Sequence, residues 1–70
     1  MANRLREVRF HKMMTVAELA RRSEISRATI HKLERGDSSQ AYTTRTLMKL
    51  AHALDTPVTE LFDIDPDTMR

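Results

Sequence analysis

Residues Thr15 to Gly36, TVAELARRSEISRATIHKLERG, read as two short helices joined by a tight turn, and this stretch decides the fold. On a wheel of about 100° per residue, Arg27, Ala28, His31, Lys32 and Arg35 of the second helix fill one arc of roughly 140°. Thr29, Ile30 and Leu33 fill the other. A helix that buries Ile30 and Leu33 must therefore turn four basic side chains outward, around an Ala28 small enough to let a backbone come close. An electronegative groove is the natural counterpart.

The helix borders are written in residue chemistry. Thr15 is a hydroxyl N-cap, and Glu18 three residues on completes a capping-box pattern, with Leu19 and Ala20 facing the core and Val16 at its rim. Ser23 to Ile25 form the turn. Ser26 caps the second helix, and Gly36 is suited to the left-handed residue that closes it.

Outward from this stretch, apolar residues recur at helical spacing and no alternating strand pattern appears. A first helix is expected from about Arg4 to Lys12, burying Leu5 and Val8, with Met13 and Met14 leading out of it. Phe10 lies off that apolar face and is expected to add a supplementary core contact. After a polar connection from Asp37 to Tyr42, Thr43 or Thr44 caps a fourth helix whose stripe is Leu47, Leu50, Ala51 and Leu54. Thr56 followed by Pro57 matches an N-cap and first helical residue, opening a short fifth helix with Val58, Leu61 and Phe62 inward. The expectation is an all-α, compact five-helix bundle, with a domain over residues 1–63 and an acidic tail over 64–70.

Seventy residues make one domain, and a chain this short buries only about 60% of its unfolded surface, so the core is thin. There is no cysteine, which removes disulfides and thiolate metal ligands. No apolar run approaches the roughly 20 residues that span a bilayer, and the first ten residues lack a signal-peptide core, so no membrane association and a cytoplasmic setting are expected. The net charge of +2 conceals an asymmetry: residues 1–50 hold eleven Lys and Arg against five Asp and Glu, whereas residues 51–70 hold one Arg against five acids. A basic body with an acidic end is the electrostatic footprint of a chain that meets nucleic acid on one side.

These segments together resemble the lambda-repressor-like helix-turn-helix proteins, the Xre or Cro type. The resemblance runs through Ala-Glu-Leu-Ala at 17–20, Ser-x-x-x-Ile-x-x-Leu-Glu-x-Gly at 26–36, Thr-Leu-x-x-Leu-Ala-x-x-Leu at 46–54 and Glu-Leu-Phe at 60–62. It implies that the second helix of the motif enters the major groove of duplex DNA while the first crosses the backbone. Carried over by position, it makes Arg27, Ala28, His31 and Lys32 base readers, with Arg27 suited to guanine O6 and N7 and Ala28 to a thymine methyl. Phosphate contacts are expected at Thr15, at Val16 through its backbone, at Arg35, and around the fourth helix at Ser38, Ser39, Gln40, Tyr42, Thr43, Thr44 and Arg45; for the Ser and Thr residues a capping or loop role is an equal alternative. Arg21 and Arg22, at a helix C-terminus, are read as structural. The resemblance also implies an ion pair between Arg9 and Glu34 that braces the recognition helix.

Departures from the family pattern limit this transfer. Val16 stands where Gln is usual, which removes a side-chain contact. Glu24, Met13 and Asp55 stand where glycine often ends a helix, and a Cβ in that left-handed conformation costs roughly 1 kcal/mol. The connection after Gly36 is longer than usual, and Thr44 replaces an apolar residue.

The function expected is sequence-specific binding of double-stranded DNA by a transcriptional regulator, a repressor acting as a homodimer on an inverted repeat, with Val58, Phe62 and Ile64 at the dimer surface. The alternative is a protein-interaction module, such as an antitoxin, with a protein partner and secondary DNA binding. An enzyme is not expected: there is no Cys nucleophile and no Gly-rich phosphate loop. His11, His31 and His52 are twenty or more residues apart, with no metal-ligand spacing, so neither metal nor cofactor is expected.

Overall fold

A computed structural model describes residues 3–38 and 41–62. Five helices follow in order: α1 (Leu5–His11), α2 (Val16–Ser23), α3 (Arg27–Glu34), α4 (Thr44–Ala53) and α5 (Val58–Leu61). Among the described residues there is no strand, so the chain is all-α. Among the described residues no helix is long and apolar enough to cross a membrane. Ser39, Gln40, Ile64 and the acidic tail lie outside the described residues.

Three helices begin on a hydroxyl. Thr15 accepts from the Glu18 N–H at 3.0 Å, Ser26 from Thr29 at 3.2 Å and Thr43 from Thr46 at 3.2 Å. Thr43, not Thr44, is thus the cap of α4. The Glu18 carboxylate does not supply the return half of the expected capping box; it turns along the helix to Arg22 Nη2 at 2.8 Å. Opposite charges at i, i+4 are neighbours on a helix surface, and a second arginine, Arg21, stands 3.9 Å away on the same carboxylate. These two cations are therefore engaged within α2.

The start of α5 departs from expectation. Thr56 is not its cap: the hydroxyl donates backward to the Leu54 carbonyl at 2.9 Å, satisfying an acceptor at the end of α4. Pro57 precedes the helix, and α5 starts at Val58 without a side-chain cap.

The core comprises Leu5, Val8, Met14, Leu19, Ile30, Leu33, Leu47, Leu50, Ala51, Leu54, Leu61 and Phe62. Every helix contributes, and α4 is the post against which α2 and α5 lean. Phe62, expected at a dimer surface, is only 2% exposed, so its ring is already spent on the core of its own chain. Phe10 shows the opposite correction: expected to supplement the core, it is 59% exposed. The helical geometry turns it away because Leu5, Val8 and Arg9 occupy the inner face of α1.

Among the described residues three non-glycine residues sit in the left-handed region, Met13 (φ 54°), Glu24 (φ 60°) and Asp55 (φ 51°), each just past a helix. At the α2–α3 turn, buried Ser23 offsets part of that strain. Its hydroxyl donates to the Leu19 carbonyl at 2.7 Å and accepts from the Ile25 N–H at 3.2 Å.

Candidate nucleic-acid interface

α3 presents the face that its sequence pattern demands. Ile30 and Leu33 are fully buried, whereas Arg27, Ala28, His31, Lys32 and Arg35 are exposed. The side chains of Arg27, His31, Lys32 and Arg35 make no hydrogen bond or ion pair among the described residues. The uncompensated cations among them, Arg27, Lys32 and Arg35, attract polyanions, and each costs little to leave in water until one arrives.

Two clasps fix α3 against α1. Arg9 Nε donates to Glu34 Oε2 at 2.7 Å and Nη2 to Oε1 at 3.0 Å, a two-pronged bridge whose side chains are 9% and 7% exposed. Arg9 Nη1 donates to the Met14 carbonyl at 3.0 Å, tying in the segment that leads to α2. The hydrogen bond to Glu34 raises the Arg9 pKa above its ordinary range, outweighing burial, so the guanidinium keeps its charge. The second clasp is Asn3, whose Nδ2 donates to the Leu33 carbonyl at 2.8 Å while Oδ1 accepts the Leu5 N–H at 2.9 Å. One amide thus takes up the first helical N–H of α1, from the residue before its N-cap Arg4, and holds the last turn of α3. Sequence reasoning missed Asn3, although an Asn two residues ahead of an apolar helix is a capping signal.

The expected phosphate-facing residues divide by what they already do. Thr15 and Thr43 spend a hydroxyl lone pair on their caps; this leaves the Thr15 hydroxyl proton available, whereas the Thr43 hydroxyl also shares a 3.0 Å hydrogen bond with that of Thr46. Tyr42 is half-buried and donates its hydroxyl to Asp37 at 3.1 Å. That bond closes the 37–42 connection, and desolvation followed by the Asp37 hydrogen bond raises the Tyr42 pKa. Thr44 and Arg45 lie exposed in the first turn of α4, and Ser38 is exposed beyond α3.

Beside this face is a cleft of about 210 Å³ where α1, the start of α2 and the end of α3 meet. Arg6, Arg9, Val16, His31, Glu34 and Arg35 line it. His31, expected among the base readers, thus shares a concavity with Arg35 and α1. Arg6 did not figure among the sequence candidates, because a lone arginine on the outside of an amphipathic helix has no distinguishing pattern.

Two short helices joined by a tight turn, the second buried on its apolar side and cationic on its outer side, define a helix-turn-helix domain. Residues 4–67 match the model of the Cro/C1-type HTH DNA-binding domain, and the chain belongs to that family. A comparison with curated proteins found no match. DNA is the partner that this family and this surface support.

Proposed function

We propose that this chain is a sequence-specific transcriptional regulator that binds duplex DNA as a homodimer and represses by occupying a promoter. The observation that carries the reading is the exposed, uncompensated set Arg27, Lys32 and Arg35 on the outer face of α3, held in place by the buried Arg9–Glu34 bridge. In the docking geometry of this motif the N-terminal residues of the second helix reach base edges. Arg27 and Ala28 hold that position, with Lys32 one turn further along and His31 beside it. Arg35, Thr15, the Val16 backbone, Ser38, Tyr42, Thr43, Thr44 and Arg45 are assigned to the flanking backbone.

A two-turn recognition helix touches few base pairs, and a second copy on the same duplex adds its own contacts. Dimerisation is the simplest route to selective binding, with Val58 at the contact, as Phe62 is committed to the core. Half-sites then lie about 34–36 Å apart along the helix.

Selection from randomised duplex DNA tests the proposal. The expected product is a palindrome with G opposite Arg27, bound by two protomers. Recovery of no motif at low salt overturns sequence-specific binding, and an asymmetric site bound by one protomer overturns the homodimer.

A further inference from the structure

We propose that helix α1 belongs to the DNA interface, with Arg6 taking one backbone phosphate in the cleft beside Arg35 and Phe10 holding Arg6 there. The inference rests on the DNA-binding reading above and extends it to two residues outside the recognition motif.

The arginines at and in α1 have different commitments. Arg4 faces Glu7 at 3.4 Å, and Arg9 is saturated by Glu34 and the Met14 carbonyl. Arg6 makes no hydrogen bond or ion pair among the described residues. Its guanidinium instead lies over the Phe10 ring, with Cζ 5.4 Å from the centroid. The same ring covers Arg9, whose Cζ is 4.7 Å from the centroid. Phe10 therefore anchors on a fixed, buried cation and presents its remaining surface to a free one. Stacking on a ring orients a guanidinium without consuming any of its five N–H donors.

The location supplies the ligand chemistry. Arg6 lines the cleft with His31 and Arg35 from the outer face of α3 and with Val16 from the start of α2. The Arg9–Glu34 pair at the same cleft is internally neutralised, so Arg6 and Arg35 set a net positive charge there. A tetrahedral anion with several acceptor oxygens satisfies a guanidinium fork, and along a duplex that anion is a backbone phosphate. Helical geometry puts Phe10 outside the core, and this arrangement gives the exposed ring a use: it is a support for Arg6.

The experiment measures the salt dependence of affinity for a selected duplex by fluorescence anisotropy, for the unmodified chain, Arg6→Gln, Phe10→Leu and the double variant. One lost phosphate contact lowers the slope of log K against log salt by about 0.9. The expected result is that decrease in Arg6→Gln with unchanged base preference. Phe10→Leu is expected to weaken binding in the unmodified background and to have no further effect in Arg6→Gln. A neutral methylphosphonate at the contacted position should abolish the difference between the unmodified chain and Arg6→Gln, which separates a backbone phosphate from a free anion. A steep slope unchanged by Arg6→Gln overturns this inference alone. Additive effects of the two substitutions overturn the role of Phe10. A slope near zero for the unmodified chain overturns the DNA-binding reading and this inference with it.

Discussion

Arg9 and Glu34 meet through two hydrogen bonds, at 2.7 and 3.0 Å, across 25 residues of sequence, joining the first helix to the last turn of the recognition helix. Breaking such a pair on one side leaves a shielded charge without a partner. Glu34→Gln is expected to cost about 3 kcal/mol in urea unfolding, a large share of the stability of a domain this small. Arg9→Met combined with Glu34→Leu should recover most of it, because neither partner is then stranded. A double variant no more stable than Glu34→Gln would contradict the bridge as the source of the loss.

The hydroxyl caps are separable from the core. Ser26→Ala removes the acceptor for the Thr29 N–H and should lower the melting midpoint by an amount equivalent to about 1 kcal/mol, while Ser26→Asp should restore it.

Backbone strain predicts changes of opposite sign at two turns. Glu24 stands at φ 60° and Gly36 at φ 104°. Glu24→Gly relieves a left-handed Cβ and is expected to stabilise by about 0.5 to 1 kcal/mol after the entropy of glycine is deducted. A Cβ at Gly36 would meet nothing within 4 Å, so the loss of about 1 kcal/mol expected for Gly36→Ala is purely conformational. Thermal melts of the two variants should move in opposite directions.

Tyr42 provides an alkaline readout. Its folded pKa is raised above the ordinary 10.0, first by desolvation and then by the hydrogen bond to Asp37. A raised folded value means that its contribution to stability is complete below pH 10.0 and is lost as pH rises through the folded pKa. Tyr42 is the sole tyrosine, so phenolate absorbance reports it directly. Asp37→Asn should lower the midpoint only part of the way, since burial is the larger cause. A full return to the ordinary value would show that the hydrogen bond dominates.

On DNA, the exposed arginines of α3 should separate by role. Arg27→Ala is expected to relax preference at one base pair per half-site and cost about 1 to 3 kcal/mol against the selected duplex. Arg35→Ala should weaken all sequences alike and reduce the salt slope by about 0.9. Competition binding against single-base variants distinguishes these patterns, and identical patterns for both would collapse the assignment.

The helices were legible where one residue type has one strong local use. Thr15, Ser26 and Thr43 cap because a hydroxyl before an apolar stripe has little else to satisfy, and the stripe Leu47, Leu50, Ala51 and Leu54 has one face to bury. Reading failed where a side chain had competing partners. Thr56 preferred a carbonyl behind it to the helix ahead, and Glu18 preferred Arg22 to its own cap. Phe62, read both as inward on α5 and as part of a dimer surface, went to the core, and Phe10 went to solvent instead of the core, because burial of a ring depends on which helices arrive from elsewhere, and spacing within one helix does not contain that information. On the outer face of α3 the pattern identified the exposed cations, but the cleft that gathers His31, Arg35 and Arg6 exists only after three helices meet.

The backbone N–H of Arg4 donates to the carbonyl of Leu61 at 2.9 Å, and Leu61 and Phe62 complete the core. Helix α1 is therefore closed by α5, from the other end of the described residues. The two helices of the motif, α2 and α3, thus share one core with α4 and α5, and the surface they present depends on residues far along the chain from the motif itself.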